Sequence, residues 1–199
     1  MIYEPAGLER HLAISKVYDN IASGSTVLDV GCSTGFLGMH LKNGKNCRVV
    51  GIENDVAAIR VAKGRLDKVI DFDLEKDNSS KLKLRREFDY VILADVLEHL
   101  CEPEMIVRNF SKFLKPDGKI IISLPNVAHP LVRLNLLLGK WDYTDIGIMD
   151  RTHVKFYTHK TAKNLIEKCG LRILGEFPAG KFTTIKTFSA QFVFVCAQL

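Results

Sequence analysis

Between positions 26 and 43 the chain reads Thr-Val-Leu-Asp-Val-Gly-Cys-Ser-Thr-Gly-Phe-Leu-Gly-Met-His-Leu-Lys-Asn. A short β-favouring run breaks at Gly31 and Gly35, and Phe36, Leu37, His40 and Leu41 then take up helical spacing. Strand, glycine turn and helix in this order aim backbone N–H groups and a helix N-terminus at a ligand, where side chains would be in the way. Three chemistries use such a turn. A dinucleotide fingerprint would want glycines at 31, 33 and 36, but Gly31, Ser33 and Phe36 stand there. A phosphate-binding loop would need Gly-Lys-Ser/Thr to follow, and none does. Gly31-Cys32-Ser33-Thr34-Gly35 matches the nucleophile elbow G-x-S-x-G. That elbow needs earlier strands and an oxyanion-hole loop ahead of it, whereas only enough sequence for one helix precedes Thr26.

The elements that must position this turn follow from periodicity and breakers. Ile14, Val17, Tyr18 and Ile21 predict an amphipathic helix over 8–21, ended by Ser23-Gly24-Ser25. After the turn, Asn43-Gly44 is expected to close the helix, residues 48–53 to form a second strand, and Asn54 or Asp55 to cap a helix over 56–63. A short third strand falls at Val69-Ile70, and the polar tract 76–87 is expected to be loop with a short helix. Residues 88–94 are an apolar run bounded by charge, as in a strand buried on both faces. Pro103 starts a helix carrying Ile106, Phe110, Phe113 and Leu114, and Lys115-Pro116-Asp117-Gly118 reads as a type I turn before a fifth strand over 119–124. A helix over 131–138, a last helix over 161–169 and a long-looped antiparallel hairpin of 171–177 with 191–197 complete the chain. Strands alternating with helices imply crossovers and a doubly wound parallel α/β sheet.

At 199 residues, 47% hydrophobic and 26% charged, the chain is expected to form one globular domain. No apolar run approaches the roughly 20 residues of a membrane span. The first ten residues lack a basic n-region and an apolar h-region, so a cytoplasmic location is expected. Cys32, Cys47, Cys101, Cys169 and Cys196 are odd in number and hold no C-x-x-C pair, which argues against a disulfide framework and a zinc site; no metal is expected. Net charge is +5, but Lys81, Lys83, Arg85 and Arg86 follow Asp71, Asp73, Glu75 and Asp77, a solvated face rather than a nucleic-acid stripe.

Residues 27–35 resemble motif I of the class I S-adenosylmethionine-dependent methyltransferases, apolar-Asp-apolar-Gly-x-Gly-x-Gly, with Ser33 where that family usually has glycine. Further resemblances come in register: Gly51-Ile52-Glu53, Asp73-Leu74, the stretch 88–100 and Leu114-Lys115-Pro116-Asp117-Gly118-Lys119. The likeness implies a Rossmann-like seven-stranded sheet, order 3-2-1-4-5-7-6 with the last strand antiparallel. It divides the chain into an N-terminal helix (1–25), a cofactor-binding core (26–124), a candidate substrate lid (125–160) and a last helix with the hairpin (161–199). It also implies S-adenosyl-L-methionine as cofactor and S-adenosyl-L-homocysteine as product.

The resemblance carries a cofactor site of Asp29, Gly31, Cys32, Ser33, Gly35, Glu53, Asn54, Asp73, Leu74, Ala94 and Asp95. Glu53 would accept from both ribose hydroxyls, as acids at that strand end do in dinucleotide folds. Asp73 would accept from the adenine amino group beside Leu74, with Asp71 as its rival. Asp29 would orient either the turn or the cofactor's ammonium, and Asp95 would lie near the methionine moiety. Methyl transfer is an in-line displacement on an activated donor, so the protein aligns the acceptor and excludes water. A hydroxyl acceptor would benefit from a base, and His99 and His153 are the catalytic candidates.

Base-modifying amino-methyltransferases usually carry Asp/Asn-Pro-Pro-aromatic after the fourth strand; Ala94-Asp95-Val96-Leu97 stands here. This favours a small-molecule acceptor, through oxygen, over nucleic acid. Residues 145–158 resemble a subgroup similar to the ubiquinone O-methyltransferase and methionine-biosynthesis types, and Trp141, Tyr143, Phe156 and Tyr157 are candidates to line the acceptor site. The alternatives are an RNA methyltransferase and a non-catalytic cofactor-binding partner subunit. Oligomeric state is not legible.

Overall fold

Tyr18 and Gly44 set the first contact of the fold. In the computed structural model, which describes residues 12–77, 82–180 and 188–199, helix α1 (Leu12–Asp19) buries Ala13 and Val17. The expected start of this helix, residues 8–11, lies outside the described residues. Strand β1 (Thr26–Val30) leads through the glycine turn into α2 (Phe36–Lys45). Gly44 does not end α2: a Cβ there would collide with the Tyr18 hydroxyl, so the glycine lets α1 pack closely. Asn46 at φ 53° ends the helix instead, its N–H returning to the Leu41 and Lys42 carbonyls.

Strand β2 (Arg48–Glu53) follows, then α3 (Val56–Ala62). Asp55, not Asn54, caps α3, its carboxylate accepting from Ala58 N at 2.7 Å. Next come β3 (Lys68–Asp71), β4 (Phe88–Ala94), a single 3₁₀ turn (Leu97–His99), α4 (Pro103–Ser111) and β5 (Leu114–Pro125). Of the polar tract 76–87, residues 78–81 lie outside the described set.

The expected turn at 115–118 is instead a bulge inside β5. Pairing moves two residues along β4, from Phe88 to Tyr90, while it moves from Leu114 to Lys119 on β5. Lys115 Nζ secures the bulge to Asp89 Oδ1 at 2.7 Å, and Gly118 lies so near the Phe88 carbonyl that a Cβ would sit at 3.0 Å from it. Turn-forming residues and strand continuation are both satisfied, because the extra residues loop out of a ladder that resumes beyond them.

The chain then forms α5 (Pro130–Leu137), α6 (His159–Lys168), β6 (Leu171–Ala179) and β7 (Gln191–Gln198). Helix α6 starts two residues before the expected Thr161 because Thr158 and Thr161 form a reciprocal capping box. The connection 181–187 within the expected hairpin lies outside the described residues.

The sheet has seven strands in the order β3-β2-β1-β4-β5-β7-β6. Neighbours from β3 to β5 are parallel, and β7 runs antiparallel to both β5 and β6. Alternate residues fill two apolar layers: Leu28, Val50, Val91 and Ile122 face α4 and α6, whereas Val27, Val49, Ile92 and Ile121 face α1 and α2. Strand order reverses between β1 and β4, whose pairing stops at Asp29 and Ile92, short of both strand ends. Such a switch point is where open α/β sheets bind ligands.

Candidate functional site

Two cavities open beyond the strand ends and meet at Asp95 and His99, which line both. The first, about 520 Å³, lies over the glycine turn. Gly31 sits at φ +73°, and a Cβ there would come within 2.6 Å of the Val96 side chain, so position 31 admits no larger residue without closing the crevice. Ser33 also has positive φ, 48°, which explains why glycine is the easier residue and locates the strain of the substitution in the backbone. Its N–H donates to Glu53 Oε2 at 2.9 Å, while Glu53 Oε1 accepts from Asn54 N and Asp55 N at 2.8 and 3.0 Å. Three backbone amides therefore hold one carboxylate across the mouth of the turn.

At the far end, Phe72, Leu74, Val96 and Leu100 supply apolar wall, and Asp73 and Asn54 supply polar atoms. Asp73 lines this cavity; its rival Asp71 does not. The side-chain bond from Lys76, followed by the backbone N–H of Glu75, draws the Asp73 carboxyl down to about 2.

Four expected cofactor residues stand behind the wall rather than in it. Asp29 is buried in β1, and burial, reinforced by the neighbouring Glu53 charge, raises its carboxyl to about 7. Cys32 turns its thiol inward, where a Cβ on Gly51 would meet it, and its N–H is spent on the Ile52 carbonyl at 3.0 Å. Burial pushes that thiol up. Gly35, at φ +76°, opens α2 against Leu66, and Ala94 ends β4 outside the lining.

The second cavity, about 370 Å³, is roofed by Ile146, Gly147 and Ile148 and floored by Asp95, Glu98, His99 and His153. Asp95 takes up φ 54°, and its Oδ1 accepts from Ser123 Oγ at 2.6 Å and from Gln191 Nε2 at 3.0 Å. Three strands, β4, β5 and β7, thus fix one carboxylate. His99 Nδ1 faces Thr152, 3.3 Å from its carbonyl and 3.1 Å from its hydroxyl, and that hydroxyl donates to Asp150 Oδ1 at 2.7 Å. A carbonyl only accepts, so Nδ1 carries the proton and Nε2 its lone pair. Burial alone would raise the Asp150 carboxyl, but the two Thr152 bonds hold it below its ordinary range.

His153 stands edge-on to His99, ring centroids 4.8 Å apart, with Nδ1 3.2 Å from the Ile148 carbonyl and Nε2 4.0 Å from Glu98 Oε1. Burial, then the neighbouring His99, lowers its proton affinity. Glu98 is 1% exposed, and among the described residues its Oε2 has no hydrogen-bond partner. Burial, then the Asp95 charge, keeps that carboxyl protonated well above the usual carboxylate range. Glu98, His99 and His153 bring one ligand-capable atom each within 4.8 Å of one another, a donor set able to hold a divalent cation. Cysteine spacing gave no sign of this cluster, because His153 comes from a loop more than fifty residues on.

The expected acceptor-lining aromatics lie elsewhere. Trp141 and Tyr143 are exposed, Phe156 packs between Trp141 and the back of His153, outside the lining itself, and Tyr157 is buried in the core. Gln191, Ser123 and Asp150 had no local signal, each being ordinary until folding brings it to Asp95 or His99.

Residues 8–176 match a family model described as a methyltransferase domain. A ubiquinone biosynthesis O-methyltransferase of Pseudomonas paraeruginosa is 29% identical over 120 residues, 59% of this chain and 51% of the relative. Phosphoethanolamine N-methyltransferase 1 of Arabidopsis thaliana is 33% identical over 180 residues, 79% of this chain and 36% of the relative. The chain thus spans about half the length of the first and less of the second. A crystal structure of a SAM-dependent methyltransferase from Aquifex aeolicus superposes with a TM-score of 0.65 at 20% identity, covering 96% of this chain and 93% of that one.

Proposed function

The chain belongs to the methyltransferase domain family, and from that premise we propose that it is an S-adenosylmethionine-dependent enzyme that methylates a hydroxyl of a small molecule. The observation that carries this reading is the pair of cavities joined at Asp95 and His99: one shaped for a nucleoside, the other lined by groups that handle a proton.

The first cavity fits the cofactor. Glu53, its orientation set by three amides, accepts from the ribose diol. Phe72, Leu74 and Leu100 enclose the adenine ring, and Asp73 accepts from its amino group. Gly31 and Ser33 give the backbone approach to the methionine portion, and Asp95 lies where that portion meets the acceptor. Asp29, Cys32, Gly35 and Ala94 act from behind, shaping the turn. When bound, S-adenosylmethionine supplies an electrophilic methyl group on a sulfonium.

The acceptor occupies the second cavity beneath residues 146–148, with the 125–160 segment as its cover. Its hydroxyl gives its proton to His99 Nε2 as the oxygen is methylated. Thr152, itself held by Asp150, keeps the ring in the required tautomer. His153 and the protonated Glu98 position His99 through the ring contact. Among the described residues the lining holds three carboxyls and no Lys or Arg, which disfavours an acceptor phosphate, and with it RNA.

Isothermal titration tests the reading. The protein is expected to bind S-adenosylhomocysteine, and Glu53→Ala to weaken that binding about a hundredfold. An intact, folded protein that binds neither S-adenosylmethionine nor its product would overturn it.

A further inference from the structure

Helix α5 buries no residue at all. Leu131, Leu134, Leu136, Leu137 and Leu138 are all more than half exposed, Leu137 at 85%. Other exposed apolar side chains, such as Val56 and Leu174, are scattered singly and need no explanation. At about 100° per residue, Leu131, Leu134, Leu137 and Leu138 fall within one arc of roughly 120°, with Leu136 about 100° outside it. Along α5 only Pro130 and Val132 are half-buried, so the stripe is not the unused back of a well-packed helix.

The segment is nonetheless rooted. Asn126 Nδ2 donates to the Ser189 carbonyl and Val127 N to the Tyr157 carbonyl, so the chain leaves the sheet at a fixed point and projects outward. His129 and Pro130 start the helix, Leu131 N lying 3.4 Å from His129 Nδ1. The chain returns through Ile146, Gly147 and Ile148, the roof of the second cavity.

Charge and aromatic placement point to one occupant. From 126 to 143 the sequence holds Arg133 and Lys140 against a single acid, Asp142. Trp141 and Tyr143, both exposed, follow the helix directly. Leucines on one arc, cations at its border and amphipathic aromatics at its end are the arrangement of a helix lying in a lipid headgroup layer. A second copy of this chain is the poorer partner, since each copy carries a net charge of +5. Among the described residues no helix is long and apolar enough to cross a membrane, so the contact is with a surface.

We propose that α5 and the residues up to Tyr143 dock this protein on an anionic lipid bilayer, with the stripe of Leu131, Leu134, Leu137 and Leu138 inserted among the headgroups. The mouth of the second cavity then lies beside the surface, open to an acceptor that resides in the bilayer. Surface binding itself does not rest on the methyl-transfer reading.

The test uses the full chain with vesicles of phosphatidylcholine alone and of phosphatidylcholine mixed with phosphatidylglycerol. Trp141, the only tryptophan, reports insertion. Co-sedimentation with the mixed vesicles and a blue shift of the Trp141 emission are expected. Leu134→Gln with Leu137→Gln should weaken partitioning by on the order of a hundredfold, and Arg133→Gln or Lys140→Gln by roughly fivefold each. Both sets should leave S-adenosylhomocysteine binding unchanged, which shows that the variants fold. Failure of the wild type to bind mixed vesicles, or leucine variants that bind as the wild type does, overturns the proposal. So does a lipid-free dimer that the leucine substitutions dissolve. Loss of vesicle binding with cofactor binding retained separates this failure from that of the proposed activity.

Discussion

Glu53 and Glu98 stand on opposite sides of one crevice in opposite surroundings. Glu53 ends β2 at the cavity mouth, where three backbone amides donate to its two oxygens. Glu98 lies one turn beyond β4, shut away from water, with one oxygen unpartnered among the described residues and burial favouring its neutral form. The first cavity thus holds its carboxylate by backbone donors, two from the residues that follow it and one from Ser33 in the glycine turn. The second is built from side chains drawn from β4, β5, β7 and the 145–154 loop, and it is poised to exchange protons. The proposed reading divides binding and chemistry between them, and of the lining residues only Asp95 and His99 belong to both.

That division is open to attack by substitution, and the largest effect is expected at the junction. His99→Ala should lower turnover by roughly 10²- to 10⁴-fold while cofactor affinity changes far less; steady-state kinetics beside titration calorimetry read the two. A parallel fall in both would merge the two cavities into one functional unit. Next comes Glu53→Ala, whose hundredfold loss of affinity should leave turnover at saturating cofactor nearly intact, measured on the same variant.

A smaller effect concerns pH. Folding raises the Asp29 carboxyl from its ordinary value of 3.8 to about 7, so the folded state holds that proton more tightly. Its contribution to stability is fully present below pH 3.8 and declines as pH rises through about 7. Asp29→Asn should flatten that decline, seen by comparing Tm at pH 5 and pH 8; an unchanged slope would place the titrating burden on Glu98. The smallest expected change is at Ser33. Ser33→Gly relieves a positive φ and should stabilise the fold by about 1 kcal/mol, measured by urea denaturation. Loss of stability would mean the Ser33 side chain makes a contact that outweighs the strain.

The first cavity was largely legible in advance. Gly31, Ser33, Glu53, Asn54, Asp73, Leu74 and Asp95 all reach it, because each stands at the end of a strand whose apolar pattern is visible. Asp29, Cys32, Gly35 and Ala94 were drawn in by adjacency, yet a strand alternates its side chains and a tight turn points only some of its atoms outward. The second cavity was legible as Asp95, two separate histidines and a candidate lid, without the contacts that join them. Nothing near His99 in sequence announces Thr152 and Asp150, and Gln191 reaches Asp95 across 96 positions. The turn at 115–118 and the stop at Gly44 were misjudged for a shared reason: glycine marks freedom from a side chain, and close packing against Phe88 and Tyr18 uses that freedom as readily as a turn does.

Local residue pattern by itself determined the alternation of strands and helices, the parallel character of the buried strands and the place of the glycine turn at a strand end, since these follow from periodicity and backbone sterics over a few residues. Only the tertiary structure decided which carboxyl is charged, which nitrogen of His99 keeps its proton, and that a run of leucines stands clear of the core. Those properties depend on desolvation and on partners from distant strands and loops, and neither exists until the chain has closed around them.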